Sequence, residues 1–393
     1  MIGQHLQCLP VESLPLAQCA GAVLRENIYA ERDQPPFDRV AMDGVALDSQ
    51  AVGTGTGTRS FRVQATQAAG DPPLTLAAAA DCIEVMTGAV LPLGCDSVIP
   101  VEELSVARGQ VALAPGARVE PWQHVHRRGS DTRQGTLLLS SGVRLRAPEI
   151  AIAASAGMAR IRVSSQPMLA VISTGNELVE PGEPVLAHQV RRSNAYAIVS
   201  ALRERGFQRV ADDHIQDDSQ ELRERLRFHL QTHDVLVLSG GVSMGRFDLV
   251  PKVLEELGVR AIFHKVAQRP GKPLWFGVAP SGAAVFGLPG NPVSTLVCLI
   301  RYVLPALCGS LGQNPPPAER IALAEPVTLT PPLTYFLPVR FEQDDWGRTW
   351  AVPAPTNGSG DFTALAGTGG FVELPPGPNT YTKGFVTRVY RWS

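Results

Sequence analysis

The chain has 393 residues, of which 44% are hydrophobic and 18% charged, so it is long enough for roughly two to four domains and apolar enough to bury real cores. Its 35 basic and 37 acidic residues give a formal net charge of -2, which excludes a global basic field of the kind that attracts nucleic acid. No signal-peptide pattern and no long uncharged apolar run stands out, so we expect a cytoplasmic protein without membrane contact. The six cysteines are scattered without a C-x-x-C pair, which indicates buried, reduced thiols.

Residues 1–166 are predicted to form an elongated N-terminal region. Linker segments at 1–44 and 141–166 flank a small β domain at 45–140, where short apolar runs alternate with turn residues. Within the first linker, the stretch from Asp33 to Pro36 is typical of a break between elements. The pair Asp43-Gly44 by itself favours a plain tight turn or hairpin over a functional site.

Further signals lie inside this region. The repeat TGTGT at 54–58 is typical of a flexible loop, and 147–166 holds a short helix pattern and then a strand at Ala159–Val163. The stretch from Arg127 to Asp131 places two guanidinium groups beside a turn and a carboxylate. Such a cluster is either a solvated loop or, within a cleft, a clamp for an oxyanion.

Residues 167–312 alternate strand and helix patterns, which predicts a doubly wound, mainly parallel sheet. The predicted strands are Met168–Ile172, Val210–Ile215, Val235–Leu238, Ala261–Phe263, Leu274–Val278 and Ala283–Phe286. The predicted helices run from an N-cap at Asn194 to Arg205, from an N-cap at Asp218 along a stripe of Leu222, Leu226 and Leu230, from about Leu249 to a stop at Gly258, and from about Pro292 to Cys308.

After a proline-rich linker at 313–317, residues 318–393 are poor in helix signals. Short β-type runs at Phe336–Phe341, Phe371–Leu374 and Phe385–Tyr390 predict a small β-barrel or sandwich. The expected fold class is therefore a multidomain α/β protein, with the doubly wound domain between the N-terminal region and a C-terminal β domain.

Ligands of open α/β sheets bind outside the carboxyl ends of the strands. Four strand ends are expected to bring to one rim the segments Ser173–Glu177, Asp217-Asp218, Ser239–Ser243 with Asp248 after it, and Gly287–Asn291. Gly240 and Gly241 let backbone N–H groups point outward, which is typical of an anion cradle. The dinucleotide and P-loop glycine motifs are both missing from the sequence.

Carboxylates on the same rim would repel a phosphate unless a divalent cation lies between them. Mg²⁺ suits such a place because it takes one or two carboxylates together with phosphate oxygens. The candidate ligands on the rim are Glu177, either Asp217 or Asp218, and Asp248. The cations expected to balance the remaining charge are Lys265, Arg269 and Lys272. The rim therefore predicts a site for a small, phosphorylated anion.

Seven motifs occur in the order seen in molybdopterin molybdotransferases, the MoeA-type family to which the C-terminal domain of gephyrin also belongs. They are PFDRVAMDG (Pro36–Gly44), MTGA (Met86–Ala89), RRGSD (Arg127–Asp131), STGNEL (Ser173–Leu178), SGGVSMG (Ser239–Gly245), RPGKP (Arg269–Pro273) and LPGNPVS (Leu288–Ser294). The resemblance covers nearly the whole chain. It implies a four-part elongated subunit, a homodimer, and a cleft where domains of both subunits meet. It also implies the reaction, in which molybdate is inserted into the dithiolene of adenylylated molybdopterin with Mg²⁺-dependent release of AMP.

The resemblance also implies roles for single residues. It makes Asp43, Asp131, Glu177 and Asp248 catalytic, and Asp43, Glu177 and Asp248 metal ligands. The substrate-binding positions are Thr87, Arg127, Arg128, Ser173, Thr174, Gly175, Asp217, Asp218, Ser239, Gly240, Gly241, Val242, Ser243, Lys265, Arg269, Lys272, Pro289, Gly290, Asn291 and Pro292. Among them, Lys265 and Lys272 are expected to bind phosphate, whereas Arg127, Arg128 and the PGNP corner are expected to bind molybdate.

Four positions depart from the usual motifs of the family. His126 and Ser130 flank and interrupt what is often RRRGED, Asn176 replaces an aspartate beside Glu177, and Arg269 replaces a common lysine. His126, Ser130 and Asn176 concern the affinity for the anion, or the choice between molybdate and tungstate. Arg269 keeps the positive charge of a lysine but changes its geometry. The N-terminal segment also looks shorter than in many bacterial members, which bears on the expected dimer.

Two other interpretations remain open. A molybdopterin adenylyltransferase resembles residues 168–310 and shares the GGVS and PGNP motifs, but AMDG, MTGA and RRGSD lie outside that domain. Competence-damage-type proteins share the fold and are expected to lack the same three N-terminal motifs. A non-catalytic molybdopterin-binding or scaffold protein is the alternative of a different class, although it would not need the acidic residues. The expected partners are a molybdopterin adenylyltransferase and other proteins of the cofactor pathway.

Overall fold

The computed structural model describes residues 2–52, 59–114, 117–242, 249–330, 333–354, 356–377 and 379–393. The predicted loop at 54–58 and the predicted site residues Ser243 and Asp248 lie outside this set. The chain divides into two compact units. The smaller unit comprises Asn27–Ser140 and Pro148–Ala159, and the larger unit comprises Met1–Glu26, Ser141–Ala147 and Arg160–Ser393.

The smaller unit contains a six-stranded sheet that confirms the predicted β character. Its strands lie in the spatial order Ser97–Pro100, Gly44–Leu47, Asp81–Val85, Ser60–Gln67, Gln110–Leu113 and Leu104–Ala107. Alternating side chains supply two buried clusters, one with Val45 and Phe61 and one with Ala46 and Ile83. Two short pairs complete the strands of this unit: Ile28–Tyr29 with Leu137–Leu139, and Arg39–Val40 with Val125–His126.

The tight turn predicted for Asp43-Gly44 does not form, because Gly44 begins a strand. A Cβ on Gly44 would lie 1.9 Å from the carbonyl oxygen of Ile99. Glycine is required here by the close approach of the neighbouring strand. The predicted break from Asp33 to Pro36 lies between the strands Ile28–Tyr29 and Arg39–Val40, and the carbonyls of Gln34 and Pro35 accept backbone hydrogen bonds from residues 129–132.

The larger unit contains the predicted doubly wound sheet. Its six strands lie in the order Val210–Ile215, Leu169–Thr174, Val235–Ser239, Ala284–Leu288, Trp275–Val278 and Arg260–His264. The first four are parallel, and Trp275–Val278 is antiparallel to both of its neighbours. The central strands are buried on both faces: Val171 and Val237 belong to one cluster, Ile172 and Leu238 to the other.

Helices cover both faces of this sheet, as predicted. They are Ser193–Glu204, Ser219–Thr232, Leu249–Glu256, and a helical stretch of Pro292–Cys298, a π-helical Leu299–Val303 and Leu304–Ser310. The predicted N-cap at Asp218 is confirmed, because its carboxylate accepts from the N–H groups of Gln220 and Glu221. The N-cap predicted at Asn194 is wrong, because the helix already begins at Ser193 and the Asn194 side chain points to the strand ends.

By length and composition alone, the stretch Pro292–Ser310 could cross a membrane, with a mean hydropathy of 1.6. However, 67% of that window is buried inside the protein, where Val297, Leu299 and Val303 contribute to the main hydrophobic cluster. The stretch is therefore accounted for as a core helix.

The six cysteines are free, but the prediction of buried thiols is wrong for Cys8, which is exposed.

The C-terminal strands close into a barrel, which decides between the predicted barrel and sandwich. The closed order is Thr334–Gln343, Thr349–Pro353, Arg320–Leu323, Val386–Arg391, Gly370–Leu374 and back to the first strand. The short strand Gln268–Arg269 pairs with Thr334-Tyr335, so the RPGKP segment is attached to the barrel. Phe336 and Phe371 of the barrel reach the main core of the α/β sheet.

The remaining elements of the larger unit are short. Val11–Pro15 pairs with Arg160–Ser164, Leu178–Val179 with Val190–Arg191, and Val327–Thr328 with Thr380–Tyr381. The helix Ala147–Ser155 also belongs to the described structure. The described 3-10 turns are Ile2–Gln4, Leu16–Gln18 and Thr363–Leu365 in the larger unit, and Ser49–Ala51 and Val101–Glu103 in the smaller unit.

Candidate functional site

The predicted anion cradle forms at the end of the strand Val235–Ser239. Gly240 and Gly241 have φ angles of 97° and 63°, a region that favours glycine. Both pack against Thr174 on the neighbouring strand, since a Cβ on Gly241 would lie 2.7 Å from the Thr174 hydroxyl. The hydroxyls of Ser173 and Thr174 are buried and have no hydrogen-bond partner among the described residues. Buried polar groups are normally paired, so these two hydroxyls fit a ligand in the cradle.

The PGNP corner follows the next strand and touches the cradle. Gly290 approaches the Cα of Gly240, which lies 3.8 Å from where a Cβ on Gly290 would be. Asn194 joins the two, because its Nδ2 donates to the Ser239 hydroxyl at 2.9 Å and to the Gly290 carbonyl at 2.8 Å. Sequence reasoning missed this role of Asn194 because it assigned the residue to helix capping.

The acidic part of the rim lies on the two neighbouring strand ends. Gly175, with a φ of 139°, leaves room for the carboxylate of Glu177, which folds back over it. Asn176 accepts from the N–H of Asp217 at 3.0 Å and so joins these strand ends. Asp218 is occupied as a helix N-cap, whereas Asp217 is exposed and its carboxylate makes no hydrogen bond within the described part of the chain.

Two histidines contact the rim loops, and neither was among the predicted site residues. His214 Nε2 lies 2.9 Å from the carbonyl oxygen of Gly175, and His264 Nε2 lies 3.1 Å from that of Val242. Both residues stand at or near the carboxyl end of a strand that the sequence predicts, which is the signal that could have found them. Each imidazole fixes the backbone of a loop that offers donors to an anion.

The three predicted cations lie in different surroundings. Lys265 has a φ of 77°, uncommon for a lysine, and lines a cavity of about 530 Å³ with Phe263 and Tyr302. Arg269 lines a larger cavity of about 1180 Å³ between the α/β sheet and the barrel. Lys272 is exposed. The structure thus separates Lys265 from Arg269 instead of grouping all three in one cavity.

The larger cavity connects the PGNP corner to the barrel. Asn291 Nδ2 donates to the Ser359 hydroxyl at 2.7 Å, and the N–H of Val293 donates to the Ser359 carbonyl at 3.1 Å. Pro270, Val293 and the barrel loop around Ser359 line the same cavity as Arg269. The cavity therefore has a cationic side chain beside a corner that the barrel holds in place.

In the smaller unit, the AMDG and MTGA motifs meet through one carboxylate. Asp43 Oδ1 accepts from the N–H of Thr87 at 2.6 Å and from its hydroxyl at 2.7 Å. The hydroxyl bond and then the backbone bond lower the pKa of Asp43 below its usual range. Asp43 is exposed, so it is available as an anion to a solvent-borne metal or water.

The RRGSD loop is anchored to the preceding motif. The N–H of Arg128 donates to Asp38 at 2.8 Å, and its guanidinium Nε donates to Asp33 at 2.8 Å. Arg127 instead lies over the ring of Trp122, with its guanidinium carbon 4.3 Å from the ring centroid. Of the two predicted oxyanion ligands, Arg127 is the one without a carboxylate partner among the described contacts.

Asp131 and the two departures beside it are placed in the same loop. The Asp131 carboxylate accepts from the hydroxyl of Ser130 at 3.1 Å, and its N–H donates to the Gln34 carbonyl at 2.9 Å. His126 pairs through its backbone with Arg39. Ser130 therefore supplies a neutral hydrogen bond to Asp131.

Within the described ranges, no three His, Cys, Asp or Glu side chains come together as a metal site. Of the predicted metal ligands, Asp43 belongs to the smaller unit and Glu177 to the larger, while Asp248 lies outside the description. The donor set on the rim still suits a hard cation, because Glu177 and Asp217 are exposed carboxylates on adjacent strand ends.

Known proteins resemble the chain over its whole length. Three family models match it: "MoeA N-terminal region (domain I and II)" at residues 1–157, "Probable molybdopterin binding domain" at 170–308 and "MoeA C-terminal region (domain IV)" at 320–392. The molybdopterin molybdenumtransferase of Synechocystis sp. is 42% identical over 373 residues, covering 95% of this chain and 93% of the relative. That of Synechococcus elongatus is 34% identical over 387 residues, covering 97% and 94%.

A solved structure agrees with these relatives. The molybdopterin biosynthesis MoeA protein from Pyrococcus horikosii is 30% identical, with a TM-score of 0.81, and the match covers 100% of this chain and 97% of that one. With this identity over nearly its full length, the chain belongs to the MoeA family.

Proposed function

We propose that this protein is a molybdopterin molybdenumtransferase, which inserts molybdate into adenylylated molybdopterin and releases AMP in a Mg²⁺-dependent reaction. The observation that carries the proposal is the cradle at Ser239–Gly241 beside the buried, unpartnered hydroxyls of Ser173 and Thr174, in a chain 42% identical to a protein of that name. Adenylylated molybdopterin contains a pyrophosphate, which is the kind of anion such a cradle binds.

The cradle, in this proposal, binds the pyrophosphate through backbone N–H groups and hydroxyls. Ser173, Thr174 and Ser239 present hydroxyl donors, and Gly240 and Gly241 let the turn pack closely against Thr174, which a Cβ on either glycine would meet. The molybdopterin and adenylate parts extend from this point along the rim. Because these donors are fixed by the sheet, they orient the phosphoryl bond that must break to release AMP.

Mg²⁺, when bound, supplies charge neutralisation between the rim carboxylates and the pyrophosphate oxygens. Glu177 and Asp217 would hold it on the α/β domain, with Asp248 as the further predicted ligand. Asp217 is preferred to Asp218 as a Mg²⁺ ligand, because the carboxylate of Asp218 already caps the helix Ser219–Thr232. The proposal therefore assigns Asp217, of the two neighbouring aspartates, to the site.

Molybdate, as a substrate, needs cationic or amide donors of its own. Arg127 is proposed for this role because its guanidinium has an aromatic face on one side and no carboxylate partner among the described contacts. Arg269, which lines the cavity of about 1180 Å³ beside the PGNP corner, is the second candidate. Arg128 is proposed to hold the loop in place and not to bind molybdate, because its guanidinium donates a hydrogen bond to Asp33.

Asp43 is proposed to orient a metal ion or a reacting water. Thr87 holds it in the ionised form by two hydrogen bonds to one oxygen, which leaves the other oxygen outside this contact. A carboxylate kept anionic in this way can bind a cation or orient a water molecule at neutral pH. Asp131, whose carboxylate accepts from Ser130, is proposed to assist as a second acidic group.

The decisive experiment is incubation of the protein with adenylylated molybdopterin, Mg²⁺ and molybdate. Release of AMP together with formation of molybdenum cofactor would support the proposal, and omission of molybdate should abolish cofactor formation. When pyrophosphate is added in place of molybdate, transfer of the adenylyl group to pyrophosphate, with formation of ATP and free molybdopterin, would instead support the adenylyltransferase alternative. Tight molybdopterin binding without either reaction would support the scaffold alternative.

The cellular setting belongs to the same proposal. We propose a cytoplasmic homodimer that receives adenylylated molybdopterin from a molybdopterin adenylyltransferase, with domain boundaries at 1–166, 167–312 and 318–393. Sedimentation analysis of the purified chain tests the dimer, and a pull-down with the adenylyltransferase tests the partner. A monomer with full activity would contradict the dimer without contradicting the reaction.

A further inference from the structure

Asn194 connects two loops that reach the sheet edge from distant parts of the chain. Its side-chain nitrogen donates to the Ser239 hydroxyl at 2.9 Å and to the Gly290 carbonyl at 2.8 Å. Ser239 precedes the two-glycine turn of the cradle, and Gly290 lies in the PGNP corner after the neighbouring strand. A single amide group therefore ties the cradle to the corner.

The direction of these bonds follows from the chemistry of the partners. The Gly290 carbonyl can only accept a hydrogen bond, so the NH₂ end of the Asn194 amide must face it. The Ser239 hydroxyl, which lies at the same nitrogen, then accepts as well. Because its oxygen accepts from Asn194, the Ser239 hydroxyl keeps its own hydrogen for another acceptor.

Asn194 is itself held rigidly. It lies in the first turn of the helix Ser193–Glu204, two residues after Arg192, which is only 5% exposed. The Arg192 guanidinium pairs with Glu180 at 2.7 Å and also with Asp212, so the start of the helix is anchored to the neighbouring elements. On the other side, Ala195 is fully buried under the sheet.

The cradle needs such an anchor. A turn with two consecutive glycines has more conformational freedom than any other dipeptide, and ordering it costs entropy each time a ligand binds. A cross-link to a rigid helix removes that freedom before binding, which strengthens binding without adding a ligand contact.

We propose that Asn194 is a positioning residue of the transferase site: it locks the Ser239–Gly241 turn against Gly290 and directs the Ser239 hydroxyl, as a donor, toward the pyrophosphate of the substrate. The inference rests on the proposed function for the identity of the substrate. Asn194 acts through Ser239 and Gly290, so it is not counted as a catalytic residue.

Two substitutions test the proposal. Asn194→Ala removes both donated bonds, and kcat/KM for AMP release should fall on the order of 10- to 100-fold. Asn194→Asp has the same shape but cannot donate to the Gly290 carbonyl, and it takes the hydrogen of the Ser239 hydroxyl for itself. The fall in kcat/KM for AMP release should be at least as large in Asn194→Asp as in Asn194→Ala. A role limited to filling space would leave Asn194→Asp close to the wild type.

A measurement on the ligand-free protein distinguishes the positioning role of Asn194 from repulsion between the new carboxylate of Asn194→Asp and a bound anion. Hydrogen–deuterium exchange of the segments 239–242 and 288–291 should become faster in both variants of the ligand-free protein, because the cross-link is lost. Repulsion between a new carboxylate and a bound anion would not change this exchange. In a Ser239→Ala background, Asn194→Ala should cost less in kcat/KM than in the wild type, because one of the two bonds is already absent.

Asn314→Ala is the matched control, since the Asn314 amide donates to the Ser141 carbonyl at 3.1 Å, away from the rim segments. It should leave exchange in 239–242 at the wild-type rate. Unchanged exchange in both rim segments of Asn194→Ala would overturn the inference. If the wild type releases no AMP, the proposed function fails, yet the exchange comparison still decides whether Asn194 holds the cradle.

Discussion

One carboxylate oxygen of Asp43 accepts two hydrogen bonds from Thr87, from the backbone N–H at 2.6 Å and from the hydroxyl at 2.7 Å. The two residues are 44 positions apart and belong to different motifs. The hydroxyl bond is the larger of the two influences that lower the pKa of Asp43. The contact explains physically why a threonine and an aspartate are needed together: one keeps the other ionised.

Thr87→Ala should raise the pKa of Asp43 toward its ordinary value, because the hydroxyl bond is lost while the backbone bond remains. The sign follows from the lowered pKa: the two bonds stabilise the folded protein above the unfolded-state pKa of the carboxyl, and this contribution is lost as the pH falls through the folded-state value. Carboxyl-carbon NMR titration of Asp43 measures the shift directly. If ionised Asp43 is needed for AMP release, the acid limb of the pH–rate profile should move to higher pH.

Thr87→Ser is the control, because it keeps a hydroxyl at the same place. Its Asp43 pKa and its pH–rate profile should stay near those of the wild type. An equal shift in both variants would show that the methyl group of Thr87, and not its hydroxyl, governs Asp43.

Gly44→Ala should destabilise the smaller unit severely. A methyl group at this position would lie 1.9 Å from the Ile99 carbonyl oxygen, so the strands Gly44–Leu47 and Ser97–Pro100 would have to separate. We expect a loss of about 3 kcal/mol or more in the free energy of unfolding, at or above the upper end of typical overpacking costs. Chemical denaturation followed by circular dichroism measures it.

Gly109→Ala, in the same unit, provides the comparison for Gly44→Ala. Gly109 has a φ of 77° but open space around its Cα, so the cost should be limited to backbone strain of about 1–2 kcal/mol. A smaller loss for Gly44→Ala than for Gly109→Ala would contradict the close approach of the two strands.

Substitutions of Asp217 and of Asp218 should have different effects, one on the Mg²⁺ requirement and the other on stability. Asp218→Ala removes the N-cap of the helix Ser219–Thr232 and should cost about 1 kcal/mol of stability, whereas Asp218→Asn keeps the capping oxygen. Asp217→Asn should leave stability unchanged within about 0.5 kcal/mol but raise the Mg²⁺ concentration needed for AMP release. Thermal unfolding and a Mg²⁺ titration of both variants separate the two effects. Loss of Mg²⁺ response in Asp218→Asn alone would reverse the assignment.

The strands and helices of the sheet could be predicted because their signals are local. Val235–Leu238 is an unbroken apolar run, and the stripe Leu222, Leu226 and Leu230 repeats at helical spacing, so each pattern specifies its element without the rest of the chain. The rim followed from topology, since parallel strands deliver their carboxyl ends to one edge.

What could not be predicted depends on contacts between distant residues. The partners of Asn194 lie 45 and 96 positions away, so the local capping preference of asparagine was the only signal available, and it was wrong. Gly44 follows an aspartate as in many turns, but the strand beside it decides its conformation. For the Arg127–Asp131 loop, the sequence could not decide between a solvated cluster and an oxyanion clamp. The two arginines differ because Arg128 pairs with Asp33, which is 95 positions away in the chain.

Arg127 and Arg128 should therefore have different effects on molybdate. Arg127 has no carboxylate partner among the described contacts, and its stacking on Trp122 holds the guanidinium in place, so Arg127→Ala should raise the KM for molybdate about tenfold or more. Arg128→Ala loses the bond to Asp33, which is the second-largest influence lowering the pKa of that carboxyl, so the pKa of Asp33 should rise. Molybdate-dependent cofactor formation and NMR titration of Asp33 measure the two effects. Arg127→Lys, which keeps charge without the planar stack, should lie between Arg127→Ala and the wild type. An equal rise in the molybdate KM for Arg127→Ala and Arg128→Ala, with no change at Asp33, would mean that both guanidinium groups bind the oxyanion.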